Sequence, residues 1–81
     1  MKEIYTIKIV WELGRMVRKK VISEIKDFLF MRNEIEYKIK EEDNFLSSKL
    51  WISIESYNKE EIEHIKNMLS QYQKELQDIL N

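Results

Sequence analysis

Hydrophobic side chains recur in this chain with two different periods, and the switches between them leave few ways for it to fold. With one glycine, Gly14, and no proline, element boundaries must be marked by the change of period itself. From Glu3 to Trp11 the chain alternates, with Tyr5, Ile7, Ile9 and Trp11 on one side and Ile4, Thr6, Lys8 and Val10 on the other. A period of two rich in β-branched residues predicts a strand, and apolar residues on both sides predict that it is largely covered. Beyond Gly14, an acceptable N-cap though weaker than Ser or Asp, the period becomes helical as far as about Met31. Leu13, Val17, Val21, Ile25 and Phe28 form one stripe, and Arg15, Lys19 and Lys26 the opposite one, with Ile22 among them.

Alternation then returns twice. Over Glu34 to Glu41, Ile35, Tyr37 and Ile39 face inward and Glu36, Lys38 and Lys40 outward. Over Lys49 to Tyr57, Leu50, Ile52 and Ile54 face inward and Trp51, Ser53, Glu55 and Tyr57 outward. The intervening Glu42–Ser48 is polar with an apolar tip, as in a hairpin loop. Because inward residues must oppose inward residues, the hairpin register places either Lys38 or Lys40 opposite Trp51. The last segment opens on Asn58, followed three residues later by Glu61, a spacing that resembles a capping box. Its stripe Ile62, Ile65, Leu69, Tyr72, Leu76, Ile79 predicts a helix of roughly 22 residues, about 33 Å long.

The order β-α-β-β-α predicts an α+β protein: a two-layer α/β sandwich with a three-stranded sheet and two helices on one face. A crossover connection is expected to set strand 1 beside and parallel to strand 3, with strand 2 beyond. This order resembles the ferredoxin-like topology lacking its last strand; the likeness is one of topology, carries no motif and transfers no function. An alternative breaks the first helix near Lys19-Lys20, as in small ribonuclease toxins, but the unbroken period argues against it.

In the complete topology a further strand covers the edge of strand 1. Here that edge is expected to be open, with only Lys2, Glu3 and Lys8 as charged gatekeepers. Pairing of this edge with a second copy across a two-fold axis is one expectation. The last helix outruns strands of about 26 Å, so Leu76, Ile79 and Leu80 are expected to overhang. These three, with Ile4 and Thr6, are the candidate self-association residues.

Composition narrows the function classes. Eighty-one residues make one domain, 1–81. Without cysteine, disulfide scaffolds and cysteine-ligated metal sites are excluded, and the lone His64 cannot build a multi-histidine site. No apolar run approaches the roughly 18 residues of a membrane span. The first residues lack the apolar core of a signal peptide, so a cytoplasmic location without membrane association is expected. The charge is uneven: eight Lys/Arg against four Asp/Glu in residues 1–33 and six against eleven in 34–81, or +4 and −5. No glycine-rich loop, nucleophile signature or partner for His64 is present. The expectation is a non-enzymatic protein without cofactor or metal.

Two surfaces are candidate binding sites. The sheet face without helices is expected to present Trp51 and Tyr57 among Lys8, Lys38 and Lys40, aromatic anchors suited to a protein partner or, as a second possibility, to stacked bases. The start of the first helix gathers Arg15, Arg18 and Lys19, with Lys26 further on, where free backbone N–H groups and cations could take a phosphate or nucleic-acid backbone. Of these readings, the favoured one is a small interaction protein, a homodimer that binds another protein; the alternative is nucleic-acid binding. The carboxylates Glu41, Glu42 and Asp43 are expected in the loop, and Glu60, Glu61 and Glu63 complement the dipole of the last helix.

Overall fold

A computed structural model describes residues 3–32 and 34–80, the last two by backbone alone. The elements are β1 (Tyr5–Glu12), α1 (Arg15–Phe30), β2 (Ile35–Asp43), β3 (Ser48–Ser56) and α2 (Lys59–Leu80). The fold is α+β, as the periods predict, and α1 runs unbroken through Lys19-Lys20. Gatekeeper Lys2 lies outside the described residues.

The sheet order is β1-β3-β2, with both pairings antiparallel. This corrects the expected parallel pairing of strands 1 and 3. The α1 crossover makes β1 and β2 run the same way, the hairpin reverses β3, and β3 slots between them. Ile52 is flanked by Ile9 on one side and Ile39 on the other. β1 and β2 are the two edges.

Inward side chains of all three strands meet one face of each helix. Ile7, Trp11, Leu50, Ile52 and Ile54 from the sheet join Val21, Ile25 and Leu29 of α1 and Ile62, Ile65 and Leu69 of α2 in one buried cluster, with Leu13 beside them. Full burial of such a side chain contributes roughly 1.5–3 kcal/mol, so the helices are held by packing far more than by propensity. The rings of Trp11 and Tyr72 lie 6.1 Å apart, and the Tyr72 hydroxyl donates to Glu24, linking α2 to α1. Burial, reinforced by that carboxylate, pushes the Tyr72 hydroxyl well above its ordinary pKa.

The inward line of α1 is Arg18, Val21, Ile25 and Leu29, with Val17, Ile22 and Phe28 packed alongside. Ile22 therefore belongs with the core, and Leu29, absent from the stripe read off the sequence, is central to it. The helix start of α2 follows its signal in half. Asn58 Oδ1 accepts from the Glu61 N–H at 3.2 Å, but Glu61 does not reach back. Its carboxylate takes Arg32 at 3.1 Å, and Ser56 Oγ accepts the Asn58 N–H at 3.0 Å instead. The same Ser56 hydroxyl donates to the Glu34 carbonyl at 2.8 Å, pinning what is, among the described residues, the one non-glycine with a left-handed backbone, at φ 68°.

The hairpin loop is shorter than expected. β2 continues through Asp43, and only Asn44 to Ser47 turn the chain, closed by the Asn44 N–H on the Ser47 carbonyl at 2.9 Å. Glu41, Glu42 and Asp43 therefore stand in a strand. Alternation sends Glu41 and Asp43 toward the helices and Glu42 to the other face.

Candidate functional site

That other face carries no helix. Side chains from all three strands stand on it in rows fixed by the two registers. Glu12, Lys49 and Glu42 form one row; Val10, Trp51 and Lys40 the next; then Lys8, Ser53 and Lys38; then Thr6, Glu55 and Glu36. Beyond them Ile4 and Tyr57 line a shallow depression with Glu34, Glu36 and Glu55. The register selects Lys40 over Lys38 as the cross-strand neighbour of Trp51.

Four large apolar side chains are exposed here: Val10 at 44%, Trp51 at 41%, Ile4 at 54% and Tyr57 at 57%. Trp51 is held in place, its Nε1–H donating to Glu42 Oε2 at 2.9 Å. That bond is the main reason the Glu42 carboxyl lies below its ordinary range, with partial burial pulling the other way. Four lysines of the strands (Lys8, Lys38, Lys40 and Lys49) stand among four glutamates (Glu12, Glu36, Glu42 and Glu55), so the strand rows are neutral in sum.

The basic start of α1 is arranged differently from its sequence reading. Arg18 is 2% exposed, its Nε bonded to Glu41 at 2.9 Å and its Nη2 to Asp43 at 2.7 Å. Asp43 also has Arg15 at 3.8 Å. The Asp43 bond, more than any other influence, holds Arg18 charged against its burial; in return Arg18 holds the Asp43 carboxyl below its ordinary range. Arg18 is thus corrected from a candidate anion ligand to an internal partner of two strand carboxylates. The two arginines and two carboxylates cancel in charge, so these four groups offer a phosphate no net positive charge of their own. Lys19 and Lys26 remain on the exposed side of α1. One signal in the sequence could have found the cluster: Arg18 lies three residues before Val21, on the core line, and Glu41 and Asp43 continue the inward parity of Ile35, Tyr37 and Ile39.

The candidate self-association residues separate. Ile4 and Thr6 stand on or beside the open face, and β1 is an edge. Leu76 packs against the core. Ile79 and Leu80 lie in the last turn of α2, and their side chains are outside the described residues. Among the described residues no three His, Cys, Asp or Glu side chains are grouped to hold a metal ion, and no helix is long and apolar enough to cross a membrane. No family model, curated protein or solved structure matches this chain.

Proposed function

We propose that this chain is a small non-catalytic interaction module that binds protein through the uncovered sheet face and acts as a homodimer. The observation that carries this reading is the set of apolar side chains on that face, with Trp51 fixed by Glu42 on the central strand of the sheet. Aromatic side chains held on a rigid element lose little freedom on binding and make good anchors. The balanced charge of the strand rows suits a protein surface of mixed sign. A nucleic-acid backbone calls for a basic excess, and Arg18, buried against Glu41 and Asp43, no longer contributes to the one on α1.

The β1 edge is a poor route to self-association. Beside β1 the flank of α2 presents Gln73 and Gln77, both exposed. Pairing two β1 edges would bring two such helix flanks together with little apolar surface to bury.

Alanine substitution tests the proposal. Protein captured from cells of the source by the intact chain is expected to be lost with Trp51→Ala and Tyr57→Ala together, while the circular dichroism spectrum is kept. Undiminished capture by the doubly substituted chain would overturn it.

A further inference from the structure

Resting on that reading of the open face, we infer that its partner is a second copy of this chain, packed sheet to sheet about a two-fold axis that crosses the strands over Ile7, Ile54 and Tyr37. These three residues are in register and point toward the helices, so they form the gap between two rows of the open face. A two-fold axis laid across the strands here reverses strand direction and keeps each strand above its own copy.

The facing side chains then match. On β3, Trp51 meets Tyr57 of the second copy, and Ser53 meets its Glu55. On β2, Lys38 meets Glu36 and Lys40 meets the Glu34 end. On β1, Val10 meets Ile4 and Lys8 meets Thr6. Every pairing occurs twice by symmetry. Two apolar clusters, Trp51 with Val10 and Tyr57 with Ile4, are thereby covered by one another, and the lysines of β2 face carboxylates.

Other placements fail on charge. An axis one row toward Trp51, over Ile9, Ile52 and Ile39, sets Lys38 against Lys40. An axis one row the other way, over Tyr5, Ser56 and Ile35, sets Glu36 against Glu34. An axis along the strands puts Glu55 on Glu55 and Lys8 on Lys38. Like charges opposed in a partly desolvated interface disfavour a pairing strongly. Packed sheets lie about 10 Å apart and rotated by about 30°. That rotation moves facing side chains at the ends by about one strand spacing, within reach of Trp51 and Tyr57. Helices α1 and α2 stay outside, giving a four-layer α/β/β/α assembly.

The face is small. Three strands of about eight residues cover roughly 26 by 14 Å, which places the dimer among weak assemblies, with dissociation in the micromolar range. Sedimentation equilibrium from about 1 μM to 1 mM therefore reads it directly. Glu34→Lys with Glu36→Lys, and separately Lys38→Glu with Lys40→Glu, are each expected to weaken self-association at least tenfold. An equimolar mixture of the two variants is expected to regain dimers of mixed composition at the affinity of the original chain, because each variant then faces its opposite. As a control independent of these variants, Trp11→Phe leaves Trp51 as the sole indole. Its emission should shift to the blue, and its quenching by iodide should fall, as concentration rises.

A strictly monomeric chain at 1 mM, a dimer indifferent to both pairs of reversals, or a mixture that fails to re-form would each overturn the two-fold pairing. A monomer whose capture of another protein still depends on Trp51 and Tyr57 would sink the self-pairing alone and leave the interaction reading standing.

Discussion

Arg18 shows how one residue can change roles between sequence and structure. In a run of Arg15, Arg18, Lys19 and Lys20 it reads as part of a basic surface; in the fold it is a buried cation shared by Glu41 and Asp43. Burial of such a group is tolerated only when paired and hydrogen-bonded, and its Nη1 still lacks a partner. The arrangement ties α1 to the far end of β2. A pH dependence follows. Asp43, with an ordinary value of 3.8, is held lower in the folded chain, chiefly by Arg18. The stability it contributes is therefore complete above its unfolded value and lost as pH falls through the folded one. Thermal midpoints should decline as pH drops below about 4, and Arg18→Met should flatten that decline while lowering the midpoint at neutral pH. Glu42, depressed mainly by Trp51, keeps part of the slope in the variant. Parallel profiles for the two proteins would contradict the assignment.

At the scale of elements, the fold was legible because every boundary coincides with a change of period. Strand parity follows the sequence wherever alternation is strict. Ile35 and Ile39 pack against the core, Tyr37 shares their side of the sheet but stays 37% exposed, and Trp51, Ser53 and Glu55 lie on the opposite parity. What was not legible arose where polar residues continue an apolar parity. Glu41 and Asp43 extend β2 past the point where composition turns acidic, because a cation on α1 waits for them. Parity alone carries no strand polarity; the crossover and hairpin together impose it, which is why β1 and β3 run antiparallel. Of the site, the aromatic pair and its lysines were legible as an outward set, while the Trp51–Glu42 bond was hidden by placing Glu42 in a loop. The α2 cap was legible on one side only, since Arg32 competes for Glu61. Asn58→Ala should therefore cost about 1 kcal/mol in denaturant titration, with an unchanged slope. A loss below a few tenths would mean that Ser56 and the backbone suffice to start the helix.

At the scale of the molecule, one face of a thin two-layer body, 17 Å in its shortest extent, is sealed by helices and the other is left open. The sealed side holds the chain together. The open side bears a neutral lattice of lysines and glutamates broken by Trp51 with Val10 at one end and Tyr57 with Ile4 at the other. The hairpin tip, with Phe45 and Leu46 fully exposed, is apolar too, but it is a four-residue loop without a neighbouring face to support it. That the open face is the working surface is tested most directly by a photoreactive phenylalanine at position 53, on the same face of β3 beside Trp51, with the same group at position 19 on α1 as a control. Irradiation in cells of the source should give a protein adduct from position 53 and none from position 19. Adducts from position 19 alone, or adducts of nucleic acid from either position, would contradict the account.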